Sequence, residues 1–246
     1  TLYDNIGMNN SDAVVALSNG NYVVVSRYWD NGGFVDAGAA TWGDGTNGSA
    51  GTISSANSLV GDKTNDDVGG GGAVALTNGN YVVLSPYWNN GAVADAGAVT
   101  WGNGATGTTG AVSAANSLVG SASMDFASTR LVALSNGNYV FASPYWGGFK
   151  GMAAWGDGST GGPRLVGTVS AANALIGTKT GDQYRSSSSA NAASGDQVGD
   201  SVYALSNGNY VVSSPLWTNG SAGVGYGAVT WGDGSAGIVG TISAAN

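Results

Sequence analysis

Apolar positions in this chain fall in short runs separated by Gly- and Asn-rich breaks. Residues 13–17 and 22–26 are near-continuous apolar runs on either side of Ser18-Asn19-Gly20-Asn21. An Asn-Gly pair between β-rich runs predicts a hairpin, with a two-residue type I′ turn in which both central residues take positive φ. The same unit returns around Asn78-Gly79, Asn136-Gly137 and Asn207-Gly208, which places hairpins over 13–26, 73–85, 131–143 and 202–214. Neither run alternates, as expected for strands buried on both faces. A third strand is expected over 37–42, closed by Gly43-Asp44-Gly45. A fourth is expected over 51–54, where Thr52 and Ser54 flank Ile53 and leave one wet face. Residues 56–61 read as a link to the next hairpin. No window shows a helical period, so the expectation is essentially no helix.

The hairpins recur with a period of about 58 residues, and a fixed period of this length marks a repeat architecture. The third interval is longer. Gly181-Asp182-Gln183 returns as Gly195-Asp196-Gln197, which places an insertion loop at about 182–196. The chain opens with Thr1-Leu2-Tyr3, where other copies read Ser58-Leu59-Val60. It stops at Asn246, where other copies continue into that segment. Four-stranded units with buried inner strands and a half-wet outer strand describe β-propeller blades. The expected fold is therefore a single all-β domain over 1–246, a β-propeller of four repeats whose N- and C-termini meet within one blade. A β-solenoid and an open repeat array are the alternatives.

Composition narrows the function. Charged residues are 9% and hydrophobic residues 42% of the 246, with a net charge of −8. The seven Lys and Arg are scattered, which disfavours a nucleic-acid or anionic-membrane surface. No apolar run is long enough to span a membrane as a helix. Low charge, no Cys, and richness in Gly, Asn, Ser and Thr suit a secreted or cell-surface bacterial protein. The absence of His and Cys removes a Ser-His-Asp triad, a Cys-His pair and a His-based zinc site, so no enzyme is expected.

The run Ser85-Pro86-Tyr87-Trp88-Asn89-Asn90-Gly91, followed by Asp95-Ala96-Gly97-Ala98-Val99-Thr100-Trp101-Gly102, resembles the FG-GAP repeat of integrin-α-type propellers. Ser143-Pro144-Tyr145-Trp146 and Ser214-Pro215-Leu216-Trp217 occupy the same place, and Ser26-Arg27-Tyr28-Trp29 loses the Pro. The pattern is also similar to tandem repeats of large bacterial surface adhesins of the filamentous-haemagglutinin type. The resemblance implies an adhesive or binding module. It would also imply a Ca²⁺ loop between the first two strands. Here that loop is shortened to Ser-Asn-Gly-Asn with no carboxylate, so no metal or other cofactor is expected.

Eight Trp fall two per repeat. Trp42, Trp101, Trp155 and Trp231 end the third strand and are expected between repeats. Trp29, Trp88, Trp146 and Trp217 sit in the loop after the second strand, beside amides and carboxylates. Flat aromatic rings next to planar hydrogen-bonding groups suit a sugar ring. The candidate ligand residues are Trp29, Asp30, Asn31, Trp88, Asn89, Asn90, Trp217 and Asn219; the partners are glycans or other copies of the chain. Asp44, Asp157 and Asp233, replaced by Asn103 in the second repeat, read as turn residues. Asp36 and Asp95 read likewise. Asp66 and Asp67 read as a solvated acidic pair. A scaffold or filament subunit with no small ligand is the competing reading.

Overall fold

The computed structural model describes residues 13–49, 51–160, 165–181, 195–219 and 225–246. The fold is all-β. The first repeat holds β1 (Val14–Ala16), β2 (Tyr22–Ser26), β3 (Ala39–Gly43) and β4 (Ser58–Val60). The second holds β5 (Ala73–Ala75), β6 (Tyr81–Ser85), β7 (Ala98–Gly102), β8 (Gly110–Ala111) and β9 (Ser117–Val119). The third holds β10 (Arg130–Ala133), β11 (Tyr139–Ser143), β12 (Met152–Gly156), β13 (Gly167–Thr168) and β14 (Leu175–Ile176). The fourth holds β15 (Ser201–Ala204), β16 (Tyr210–Ser214), β17 (Ala228–Gly232) and β18 (Gly240–Thr241). A single turn, Trp146–Phe149 (α1), contains Gly147 and Gly148 at positive φ and is no regular helix. No helix among the described residues is long and apolar enough to cross a membrane. The insertion expected at 182–196 lies, over 182–194, outside the described residues.

Each repeat folds as an antiparallel meander, with Val15 opposite Val23 and Val23 opposite Trp42 in the first. The outer part of the sheet differs from the sequence expectation. The supposed link supplies the fourth strand, β4, antiparallel to β3. Residues 51–54 are not a strand in the first repeat. Their counterparts β8, β13 and β18 each pair in parallel with the fourth strand of the repeat before, as Leu59 with Gly110 and Leu118 with Gly167. The wet-edged segment is thus an outer strand, but of the neighbouring sheet. Alternation along a strand reports a half-exposed face and says nothing about which sheet owns it.

The hairpin turns also differ. Ala16 pairs with Tyr22, and Leu17 N–H donates to Asn21 O, so the loop is Ser18-Asn19-Gly20. Only the glycine takes positive φ, 91° at Gly20 and 88° at Gly79. This is a type I turn closed by a left-handed glycine, a three-residue hairpin loop rather than type I′. It leaves the Asn19 side chain free to reach outward.

The core lies between repeats. Three buried clusters form, one at each junction of successive repeats. Val23 and Val25 of β2 meet Tyr81 and Val83 of β6. Val82 and Leu84 meet Tyr139 and Phe141. Val140 and Ala142 meet Tyr210 and Val212. Strands β6 and β11, with a neighbour on each side, are buried at every position. Strands β2 and β16 alternate, in opposite phase: Tyr22 and Val24 are the open face of the first repeat, Val211 and Ser213 that of the fourth. Burying one Val or Leu side chain stabilises by roughly 1.5–3 kcal/mol, and here that burial needs a neighbour.

Candidate functional site

The loop after each second strand carries the ligand residues expected from sequence. In Tyr87-Trp88 the tryptophan turns inward and the tyrosine outward. Trp88 is 4% exposed and Trp217 8%, each plugging the core between its repeat and the one before. Trp29, in the first repeat, is half-buried. Burial leaves Trp88 and Trp217 no open face for stacking on a sugar. The strand-end set, expected to be the more buried, is the more exposed: Trp42, Trp101 and Trp155 are half-buried and Trp231 is 56% exposed.

The polar neighbours of the loop tryptophans hold backbone. Asp30 accepts from Asp36 N–H at 2.9 Å, and Asn89 Oδ1 from Asp95 N–H at 3.1 Å. Asn31 and Asn90 donate to Gly61 O and Gly120 O, both at 2.8 Å. Asn219 is exposed at positive φ. The loops sit on successive repeats, and their candidate residues do not gather into one site.

Asp66 is not solvated. It is fully buried, and its Oδ2 accepts from Asp62 and Lys63 N–H while Oδ1 accepts from Asn89 N–H and Nδ2. Asp125 and Asp196 repeat this arrangement, reaching Gly147 N–H and Thr218 N–H of the following repeat. Each carboxylate staples the loop after a fourth strand to the next repeat. A buried charge is tolerable only when so many donors meet it.

Asp67 is also buried and forms a two-pronged pair with Arg27, at 3.0 Å from Nε and 2.6 Å from Nη2. Burial pushes its carboxyl above the usual range, and the guanidinium opposes this. Arg27 stands where the other repeats have Pro, and the departure is explained by this partner. Arg27 also lies 4.7 Å from the Tyr28 ring centroid. These residues, with Asp36, Tyr87 and Asp95, line a groove of about 300 Å³ between the first two repeats. Tyr28 and Tyr87 are its exposed aromatics. Its counterpart one junction along, about 490 Å³, is more apolar, with Met124, Tyr145 and Phe149. No group of three or more acidic side chains among the described residues is placed to hold a metal ion.

The most regular polar construction joins the repeats. Asn19 Nδ2, Asn21 Nδ2 and Trp42 Nε1 all donate to Gly104 O, at 2.8, 2.8 and 2.9 Å. Asn78, Asn80 and Trp101 converge on Gly158 O in the same way, and Asn136, Asn138 and Trp155 on Gly234 O. The second Asn of each turn also accepts from the glycine N–H of its own repeat, as Asn80 Oδ1 from Gly104. A Cβ on Gly104 would collide with Gly79 O, so only glycine fits there. The preceding Asp or Asn caps the turn: Asp44, Asn103, Asp157 and Asp233 each accept from the N–H two residues on. Sequence reasoning read these as turn residues but missed the clasp. Its signal was an Asn-Gly-Asn turn in every repeat that also carries Trp-Gly-(Asp/Asn)-Gly.

Comparison with known proteins agrees with a tandem array. A search of curated proteins found no match. A family model described as a repeat of unknown function, DUF5650, matches four times, over residues 16–70, 75–129, 133–186 and 204–246. The matches support repeats and do not extend to the FG-GAP or adhesin families. The chain belongs to the DUF5650 repeat family.

Proposed function

We propose that this chain is a non-enzymatic scaffold, a rigid stack of β repeats whose interaction chemistry is directed at other repeats. One observation carries this reading: nine side-chain donors from three repeats end on three glycine carbonyls of their neighbours. Most groups that looked fit for a ligand are engaged within the fold: Asp30 and Asn89 hold loop N–H groups, Asn31 and Asn90 reach glycine carbonyls, and Trp88 and Trp217 plug junctions. Each sheet is blade-like, and the resemblance to FG-GAP blades supports a propeller-like stacking of them. A secreted or surface setting suits the neutral, Cys-free composition. The test is a glycan and hydrolase screen with tryptophan emission as readout. The scaffold reading expects emission insensitive to sugars, and no turnover.

A glycan-binding or adhesive role is favoured by one feature, the groove with Tyr28 and Tyr87 exposed beside Arg27 and Asp95. A sugar would stack on the tyrosines rather than on the buried tryptophans. Saturable sugar binding that Tyr87→Ala abolishes without unfolding would replace the scaffold reading with this one.

A further inference from the structure

The clasp that joins neighbours inside the chain is present in halves at its two open faces. In the fourth repeat, Asn207 Nδ2, Asn209 Nδ2 and Trp231 Nε1 have no acceptor among the described residues, although Asn209 Oδ1 still takes Gly234 N–H at 3.0 Å, as in every other repeat. In the first repeat, Asn21 Oδ1 holds Gly45 N–H at 3.0 Å, and no donor triad among the described residues reaches Gly45 O. Two glycines register the same vacancy. Gly79, Gly137 and Gly208 each lie against the turn Asn of the preceding repeat, whereas Gly20 has nothing within 4 Å. Trp42 and Trp155 lie against Gly107 and Gly237, whereas the counterpart Gly48 has nothing within 4 Å.

The apolar surfaces match in the same sense. The open face of the fourth repeat carries Tyr203, Val229 and Trp231, 59%, 73% and 56% exposed. The open face of the first carries Val14, 60% exposed, with half-buried Tyr22 and Val24. At each internal junction it is these two kinds of face that meet, Val23 and Trp42 of one repeat against Tyr81 and Val83 of the next. No hydrogen bond joins the fourth repeat to the first among the described residues.

We propose that the open face of the fourth repeat docks onto the open face of the first repeat of a second copy of this chain, head to tail, with Asn207, Asn209 and Trp231 gripping Gly45 O. The partner is fixed by continuity with three junctions of known geometry, each using these residue types in these places. The contact is heterologous, so copies add in one direction until a ring closes or a filament extends. The inference rests on the scaffold reading and names its partner.

The experiment is sedimentation of the whole chain over a concentration series, with Trp231→Ser and Val14→Lys as variants. Both side chains are exposed, so the variants keep their β-sheet circular dichroism. The wild type is expected to gain mass with concentration. Each variant alone is expected to associate about tenfold or more weakly, as loss of a central interface side chain entails. Mixed together, the two variants are expected to form a one-to-one dimer and nothing larger. The Trp231→Ser copy keeps its first-repeat face, and the Val14→Lys copy keeps its fourth-repeat face. A monomer at all concentrations overturns the proposal, including one in which the fourth repeat folds back on the first. So does association untouched by either variant, or a mixture that fails to pair. The scaffold reading falls separately, to a ligand or turnover in the screens above.

Discussion

Replacing Asn138 by Asp tests whether the clasp couples repeats or merely accompanies their packing. The substitution keeps the shape and the Oδ1 that accepts from Gly158 N–H at 3.0 Å. It removes only the Nδ2 donor to Gly234 O at 2.8 Å and sets a carboxylate oxygen against that carbonyl oxygen. Asn209 is the matched control. It is half-buried like Asn138 and accepts from Gly234 N–H at 3.0 Å, but its Nδ2 has no partner among the described residues. A net hydrogen bond is worth about 0.5–1.5 kcal/mol, and facing two acceptors raises the loss to about 1–3 kcal/mol. Gly234 O keeps Asn136 and Trp155 as donors, which holds the figure below the cost of an orphaned carbonyl. At Asn209 the change keeps the Gly234 N–H bond and breaks no donor contact, so it should stay within about 0.5 kcal/mol.

The assay is urea unfolding followed by tryptophan emission, at concentrations below any self-association. Asn138→Asp should lower the midpoint by an amount equal to about 1–3 kcal/mol at unchanged slope, and Asn209→Asp should leave it in place. Because stability in a stacked array sums over nearest-neighbour junctions, the loss should concentrate in the junction between the third and fourth repeats. Hydrogen exchange would show it as faster opening of β15 and β16. Equal losses at the two positions would refute the reasoning, because only the junction distinguishes them.

Three further outcomes follow from individual contacts. Thr100→Val removes a buried bond to Ser117 Oγ at 2.7 Å and should cost about 1 kcal/mol, whereas Thr230→Val deletes a buried hydroxyl with no partner among the described residues and should be neutral or stabilising in the same denaturation assay. Arg27→Leu strands the buried Asp67 carboxylate and should cost about 3 kcal/mol near neutral pH; the loss should shrink on acidification, because a neutral carboxyl needs no counter-ion, and Asp67→Asn in the same chain should restore most of it. Burial pushes the Tyr81 and Tyr210 phenols up to about 12. Their folded value exceeds the unfolded one of about 10, so the stability they confer is complete below pH ~10 and lost as pH rises toward ~12, by up to about 3 kcal/mol each; tyrosinate absorbance should rise together with unfolding.

What the sequence made legible is what the local chain decides. Strand β2 spans the residues expected from the apolar run 22–26, and each hairpin forms where Asn-Gly stands. What the relation between repeats decides was illegible. The runs Tyr22-Val23-Val24-Val25-Ser26 and Tyr81-Val82-Val83-Leu84-Ser85 are nearly the same, yet the second is buried throughout and the first alternates, because only the second has a repeat on each side. Tryptophan misled for the same reason. Hydrophobicity marks both sets for burial, but the strand-end rings must keep Nε1 at the rim to reach the neighbour's carbonyl, while the loop rings plug the junction; Trp88 Nε1 is buried with no partner among the described residues. Asp66 sits in a polar loop that reads as solvated until the next repeat's Asn89 closes over it. The same logic gives the fourth repeat its significance. Asn207, Asn209 and Trp231 stand in the positions that clasp a neighbour in every earlier repeat, so a complete gripping set faces outward from a fold that uses such sets only on its own kind.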